Sequence, residues 1–409
     1  MPYPLIARCL LKEPFITRVV TESKSRLGTY VTTAVTGERV RAFIPPGLPP
    51  TPPVELAGLY QHLDRANQAL GRLDGLTTLL PDTKFFLYLY IRKEALLSSQ
   101  IEGTQSSFSD LLLFENDAEP SVPIDDVEEV SNYVAAMQYG LRRIAGGFPL
   151  SLRLIREIHA ILLRGGRGAN RTPGEFRRSQ NWVGGTRPGN AAFVPPPPQR
   201  LMECLDSLER FLHDEKQKLP ILVEAGLIHV QFETIHPFLD GNGRLGRLLI
   251  TLLLCSKGAL RQPLLYLSLY FKTNRERYYD LLQRVRTHGA WEEWLAFFLE
   301  GTEITARSAA DAAKQILTLF AKDRDRIQTI GRAASSALRV HEYMQNKPLV
   351  GIGAVADELT LSIPTVTVAL DHLVRLGIAK EVTGKRRARL FGYSRYVKIL
   401  GEGTDPIQQ

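Results

Sequence analysis

The sequence predicts a mainly α protein with a small N-terminal β element, a β-hairpin set between helices, and a C-terminal winged helix-turn-helix domain. Three observations predict this class. Apolar residues recur at helical spacing over Val54–Leu73, Lys84–Gln100, Asp125–Ile144, Leu152–Leu163 and Glu224–Ile235. Alternating patterns are confined to short runs such as ITRVV, TYVTTAV and RVRAFI between Phe15 and Phe43. The stretch from about Ser335 to Leu400 reads as helix, helix-turn-helix and basic hairpin.

At 409 residues and 44% hydrophobic content, the chain is long enough for two or three domains, each with a sizeable core. The composition shifts divide it into 1–110, 111–302, a helical connector at 303–334 and a last domain at 335–409. Its longest unbroken apolar run, Leu248 to Cys255, is too short to span a bilayer, and the opening MPYPLIARCL lacks the order of a secretory signal. The expectation is therefore no membrane, with the cytoplasm as the compartment. Cys9, Cys204 and Cys255 show no paired spacing, so neither a disulfide framework nor a zinc site is indicated. A net charge of +8 permits an acidic partner without proving one.

Taken in order, Phe15 to Phe43 reads as an antiparallel β element, and PPGLPPTPP at Pro45–Pro53 as an extended connector, because proline removes donors and fixes φ. The second helix after it ends in SSQIEG. Ser98 and Glu102 stand one turn apart there, and Gly103 can stop the helix with a carboxylate at its tip. Between Gly165 and Pro198 the chain is rich in Gly, Pro and Arg, with strand-like QNWV and AAFV flanking GGTRPGN; this predicts a β-hairpin with a mobile tip.

The helix from Glu224 should run up to Pro237, which cannot continue it, leaving His236 at the mouth of a turn. In Asp240-Gly241-Asn242-Gly243, two glycines around an asparagine allow positive φ, so several N–H groups can face one anion. RLGRLLITLLLC then starts a helix, whose macrodipole favours negative charge at that turn. Arg244 and Arg247 stand three apart on one face, close enough to share a polyanion such as a triphosphate. An imidazole can take a proton from a hydroxyl, and Asp240 offers the hard oxygens that Mg²⁺ selects beside phosphates. These residues suggest nucleotidyl transfer. His229 and Glu233 read as plain helix-face residues, since no second Glu-x-x-His helix exists for a di-iron site.

Beyond the turn, RERYYDLLQRVRTHGAWEEWLAFFLEG is helical with aromatics at core spacing, and Glu303 to Ile330 reads as a long connector. In the last domain Ser362 can cap a helix with Pro364 in its first turn. Lys385, Arg386, Arg387 and Arg389 gather in the wing, with Arg375 and Lys380 close by, which suits phosphate contacts on DNA. A domain mediating dimer or protein contacts fits the same pattern equally well.

His236 to Arg247, HPFLDGNGRLGR, resembles the HPFx(D/E)GNGRxxR signature of the Fic family at every motif position. The resemblance implies a Fic helical core with a β-hairpin flap, and AMP transfer from ATP, with Mg²⁺, to a Tyr, Ser or Thr hydroxyl of a target protein or of the chain itself. It implies His236 as general base, Asp240 as metal ligand, and Gly241, Asn242 and Gly243 as phosphate cradle. Arg244 and Arg247 would be the clamps, with Leu245 and Gly246 between them in the same nucleotide site. Val183, Gly184, Gly185 and Thr186 would form the flap over nucleotide and target, and Tyr278 and Tyr279 the adenine pocket. SSQIEG resembles the (S/T)xxxE(G/N) inhibitory motif of one Fic class, assigning Ser98, Glu102 and Gly103 to inhibition through an ion pair with Arg247. A closed-state preference of about 3 kcal/mol would suppress productive ATP binding roughly a hundredfold. The same likeness allows removal of AMP at this site, other donors, and a soluble dimer.

Overall fold

The computed structural model describes residues 26–35, 37–76, 83–165, 168–214, 216, 218–385 and 388–406. ITRVV, Cys9, Arg386 and Arg387 lie outside the described residues. Strands β1 (Thr29–Val35) and β2 (Glu38–Ile44) pair antiparallel, Thr29 opposite Ile44, with Gly37 at φ +84° in the turn. Their inner face, Val35, Val40 and Ala42, packs on Val194. The Phe43 N–H also donates to the Val194 carbonyl at 2.9 Å, so the β element is fastened to the second arm of the predicted flap.

Helices α1 (Tyr60–Leu76), α2 (Thr83–Ile101), α3 (Phe108–Phe114), α4 (Ile124–Ala145), α5 (Leu152–Leu162) and α6 (Pro198–Leu212) follow. Burial of Ala66, Ala69, Leu70 and Leu73 on one face of α1 follows its 3.6 periodicity. Ser107 and Asp110 form a capping box on α3, and Ser151 caps α5 by accepting from the Leu154 N–H. At the centre lie α7 (Ile221–Ile235) and α8 (Asn242–Ser256), apolar nearly all round and therefore buried on nearly every side. They pack on each other, and the turn that joins them begins at His236.

Then come α9 (Ser268–Thr273), α10 (Arg275–His288) and α11 (Trp291–Gln328). Gly289, at φ +65°, ends α10 and lets α11 start at a new angle. The expected connector at 303–334 is not a separate element: α11 is one helix of 38 residues that lies along α1 in the core and crosses that boundary unbroken. Because core and connector share one helical repeat, composition alone placed a boundary where the backbone has none.

The last domain comprises α12 (Ala334–Asn346), β3 (Leu349–Gly351), α13 (Ile352–Leu359), α14 (Ile363–Arg375), β4 (Lys380–Glu381), β5 (Leu390–Gly392) and α15 (Ser394–Gly401). Its sheet has the antiparallel order β3-β5-β4, and α13 and α14 lie between β3 and β4 in the chain. Ser362 caps α14 by accepting from the Thr365 N–H. Among the described residues no single helix is long and apolar enough to cross a membrane.

Candidate active site

The turn between α7 and α8 begins with a strained residue. His236 closes α7 in the left-handed region, φ 50° and ψ 61°, a conformation that costs a non-glycine residue on the order of 1 kcal/mol. Its surroundings hold it there. The His236 N–H donates to the Phe232 carbonyl at 2.9 Å, and Arg177 Nε donates to the His236 carbonyl at 2.9 Å. The same buried guanidinium reaches the carbonyls of Pro196 at 2.6 Å and Ile235 at 3.3 Å, while Asn181 Nδ2 donates to Phe238 O at 2.8 Å. Sequence reasoning missed Arg177, because one arginine in an arginine-rich loop looks like a surface charge.

The half-buried His236 ring has Nδ1 3.4 Å from the Glu233 carbonyl, which can only accept, so Nδ1 carries the proton and Nε2 is the free base. Burial, together with the Arg286 and Arg177 guanidiniums, pushes its pKa down to about 4, which keeps the ring neutral at physiological pH.

Gly241, at φ 76°, caps the start of α8, as the two-glycine turn requires. Asn242 does not face the cradle as expected. Its side chain is buried, accepts from the Phe238 N–H at 2.9 Å and donates to the Phe238 carbonyl at 2.9 Å, so it locks the turn and leaves the cradle to backbone N–H groups. Asp240 Oδ1 accepts from the Gly241 N–H at 2.6 Å and lies 3.5 Å from Arg244 Nη2. A further histidine supports the turn from below. His159 Nδ1 accepts from the Gly174 N–H at 2.8 Å, leaving Nε2 to donate to the Asp240 carbonyl at 3.0 Å, while the ring stacks on Phe238 at 3.7 Å. Burial lowers its pKa to about 4, consistent with that neutral tautomer. Nothing in the sequence around His159 separates it from an ordinary core residue.

Arg244 and Arg247 do not share one partner, although they stand three apart. Both are buried, but Arg244 turns to Glu129 at 3.3 Å, whereas Arg247 turns to the tip of α2. There Arg247 Nε donates to Ser98 Oγ at 2.9 Å, and Nη2 donates to Ser98 O at 3.0 Å and Glu102 Oε1 at 2.7 Å. Gly103, at φ +101°, ends α2 immediately beyond. Burial disfavours charge on Glu102, but Arg247, then Arg244 and His236, more than offset this and hold the carboxyl below its usual range. A Cβ built on Gly243 would overlap Glu102 Oε1. The carboxylate therefore sits on the N-terminal turn of α8, where helix dipole and N–H groups favour an anion. Thr104 Oγ1 donates to Glu129 Oε1 at 2.7 Å, linking the chain after α2 to the partner of Arg244.

Residues 60–142 match the Fic/DOC family N-terminal region, and residues 149–254, which hold the turn and both arginines, match the Fic/DOC family. The chain carries a Fic domain. It is 31% identical over 250 residues to the protein adenylyltransferase Fic of Aedes aegypti, covering 60% of this chain and 46% of that one. It is 30% identical over 250 residues to the protein adenylyltransferase Fic of Culex quinquefasciatus, with the same coverage, 60% and 46%. The chain thus spans about half the length of the curated relatives it matches. A Fic family protein from Desulfovibrio desulfuricans G20 shares the fold over 84% of this chain and 97% of that one, with a TM-score of 0.56 and 18% identity.

Other expected site residues of the Fic domain fall differently. Tyr278 is fully buried, its hydroxyl 2.8 Å from His229 Nε2 and its ring stacked on Phe271 at 4.6 Å, so it offers no face to a purine. Tyr279, 38% exposed, does offer one, with the Arg275 guanidinium 5.3 Å from its ring centre. His229 and Glu233 are buried rather than on an open helix face. His229 Nδ1 donates to Gly246 O at 3.1 Å, and Leu245 lies in the core. Glu233 Oε1 packs against Gly246 with no hydrogen-bond partner among the described residues, and burial raises that carboxyl to about 7. The flap is one rung, not a two-stranded hairpin. Val183 and Phe193 exchange N–H···O bonds at 2.8 and 3.1 Å, Gly184 and Gly185 take φ 69° and 72°, and Asn190 Oδ1 accepts from the Thr186 and Arg187 N–H groups at 3.0 and 2.9 Å. Two adjacent positive-φ residues turn the chain out of a ladder at once. Lys385 and Arg389 lie between β4 and β5.

Proposed function

We propose that the chain is a protein adenylyltransferase that moves AMP from ATP to a hydroxyl of a target protein and is held inactive by Glu102. The observation carrying this reading is the Glu102 carboxylate on the N-terminal turn of α8 while it grips Arg247 at 2.7 Å. An anion site beside a neutral imidazole is already occupied by the chain's own anion. When Glu102 withdraws, the backbone N–H groups of Asn242 and Gly243 and the Arg247 Nη2 position it held are open to triphosphate oxygens.

Mg²⁺ fits this site through Asp240. Its Oδ2 takes no hydrogen bond from the described residues, and one carboxylate with phosphate oxygens is an ordinary Mg²⁺ environment. No group of three or more His, Cys, Asp or Glu side chains among the described residues can hold a metal alone, which is consistent with a metal that arrives with the nucleotide. The bound ion would supply charge neutralisation on the phosphates. His236 Nε2 takes the proton of the target hydroxyl, whose oxygen bonds to the α-phosphorus. The bond from that phosphorus to the bridging oxygen breaks, and pyrophosphate leaves with the electron pair. Negative charge arriving with ATP raises the imidazole pKa towards the range useful for a base. Backbone pairing with the flap beside the Val183–Phe193 rung would hold the target segment extended, which is tolerant of its sequence.

The test is incubation with ATP labelled at the α-phosphate and Mg²⁺. Label on protein that disappears in His236→Ala supports the transferase; label that persists in a folded His236→Ala protein removes it. Release of AMP from a labelled target by the same protein would instead identify AMP removal. For the last domain, the outward face of α14 carries Ile363, Val368 and Val374 beside Asp371, so an apolar protein contact suits it better than base readout. Lys385 and Arg389 would then add only phosphate attraction, which a gel shift with its salt dependence measures.

A further inference from the structure

The tip of α2 is held from two sides, and only one is the Fic site. Gln100, between Ser98 and Glu102, is buried and uses both donors of its amide nitrogen and one acceptor position of its oxygen. Its Nε2 donates to Ser106 O at 2.8 Å and to Thr404 O at 2.8 Å, while its Oε1 accepts from Lys272 Nζ at 2.7 Å. Thr404 lies just past α15, at the end of the winged domain, and is itself buried. The tail is a formed turn: the Thr404 N–H and Oγ1 donate to Gly401 O at 3.0 and 2.8 Å. Lys272 of α9 fastens it further by donating to Gly403 O at 3.2 Å and to Asp405 O. Helix α15 packs on α2 and α3, so this contact joins the winged domain to the inhibitory segment.

We propose that Gln100 is a positioning residue through which the 401–405 turn of the winged domain keeps Glu102 on Arg247. The proposal rests on the reading of Glu102 as an inhibitor. Gln100 touches neither nucleotide nor base; it fixes the last turn of α2, and Glu102 comes two residues later. With the tail detached, Gln100 loses a buried acceptor and the Arg247 contact must hold the tip with less support. Any ligand or partner that draws α15 away from α2 would then release the site, which makes the winged domain an input to it.

The full-length chain tests this through two independent variants. Gln100→Leu keeps side-chain volume and removes the amide, while Gly403→Ala acts from the tail, where φ is +77° and a Cβ would lie 2.7 Å from Leu269 Cδ1. Each is measured for α-phosphate label incorporation alone and combined with Glu102→Gly, with thermal unfolding followed in parallel. The expected result is a roughly tenfold rise for either variant, the effect of about one buried hydrogen bond, with no further rise in the Glu102→Gly background. A structural role alone lowers activity equally in both backgrounds, and that outcome overturns the proposal. An active Glu102→Gly protein with unchanged single variants overturns it while leaving inhibition by Glu102 in place. An inactive Glu102→Gly protein removes the inhibition reading and this proposal with it.

Discussion

Replacing Glu102 by glycine removes one charged contact and leaves the others of Arg247 in place, so its size can be worked from the geometry. The lost bond is the one from Arg247 Nη2 at 2.7 Å; the two to Ser98, at 2.9 and 3.0 Å, remain. A hydrogen bond to a charged group contributes about 1.5–3 kcal/mol when buried. Because the Glu102 side chain is 34% exposed, water screens part of this, and about 1.5 kcal/mol is the better figure. Glycine at the residue just past α2 also loosens the backbone there, by up to about 1 kcal/mol. Together these predict a rise in AMP transfer of roughly ten- to sixtyfold, below the hundredfold that the motif alone suggests. The assay is incorporation of α-phosphate label into protein at sub-saturating ATP, with Glu102→Gln giving a smaller rise because its amide still fits. A Glu102→Gly protein that unfolds at the wild-type temperature yet transfers no more label than wild type would refute the reasoning.

Three further outcomes are expected from the same geometry. Arg177→Met strips donors from the carbonyls of Pro196, Ile235 and His236, so urea unfolding should show a loss of about 3 kcal/mol together with loss of transfer; a loss under about 0.5 kcal/mol contradicts that role. His236 should stay neutral down to about pH 5 in an NMR titration of labelled histidines, assigned with His236→Asn, since burial, Arg286 and Arg177 lower its pKa from 6.5 to about 4. Between those values the unfolded chain binds a proton that the folded chain does not, so the His236 contribution makes stability fall as pH drops from 6.5 towards 4, and a midpoint near 6.5 would refute the assignment. Tyr279→Ala should raise the KM for ATP several-fold by removing the exposed aromatic face, whereas Tyr278→Phe should cost stability through His229 and leave KM unchanged; the opposite pattern restores Tyr278 as the adenine contact.

The features legible in the sequence are those that local rules determine. The stop of α7 at Pro237, the glycine turn at 241–243 and the Ser362 cap depend on φ restrictions and side-chain acceptors within a few residues, and they appear where those rules put them. Positions set by tertiary partners were not legible. Spacing placed Arg244 and Arg247 on one face, but Glu129 and Glu102 approach from different helices and draw them apart. Asn242 looked like a ligand because its backbone partner Phe238 reveals itself only in the folded turn. Arg177, His159 and Gln100 carry no pattern of their own, since each is defined by the carbonyls and N–H groups it meets across the fold. The division expected at 302/303 falls inside α11 because one apolar repeat runs through the whole of that helix.

The central claim is that the first turn of α8 is a triphosphate site kept shut by Glu102. A crystal structure of the Glu102→Gly protein with ATP and Mg²⁺ measures it directly. Phosphate oxygens should lie against the N–H groups of Asn242 and Gly243, with Arg247 turned from Ser98 to the nucleotide and His236 Nε2 facing the α-phosphate. Nucleotide bound away from that turn, with Arg247 still on Ser98, would contradict the account.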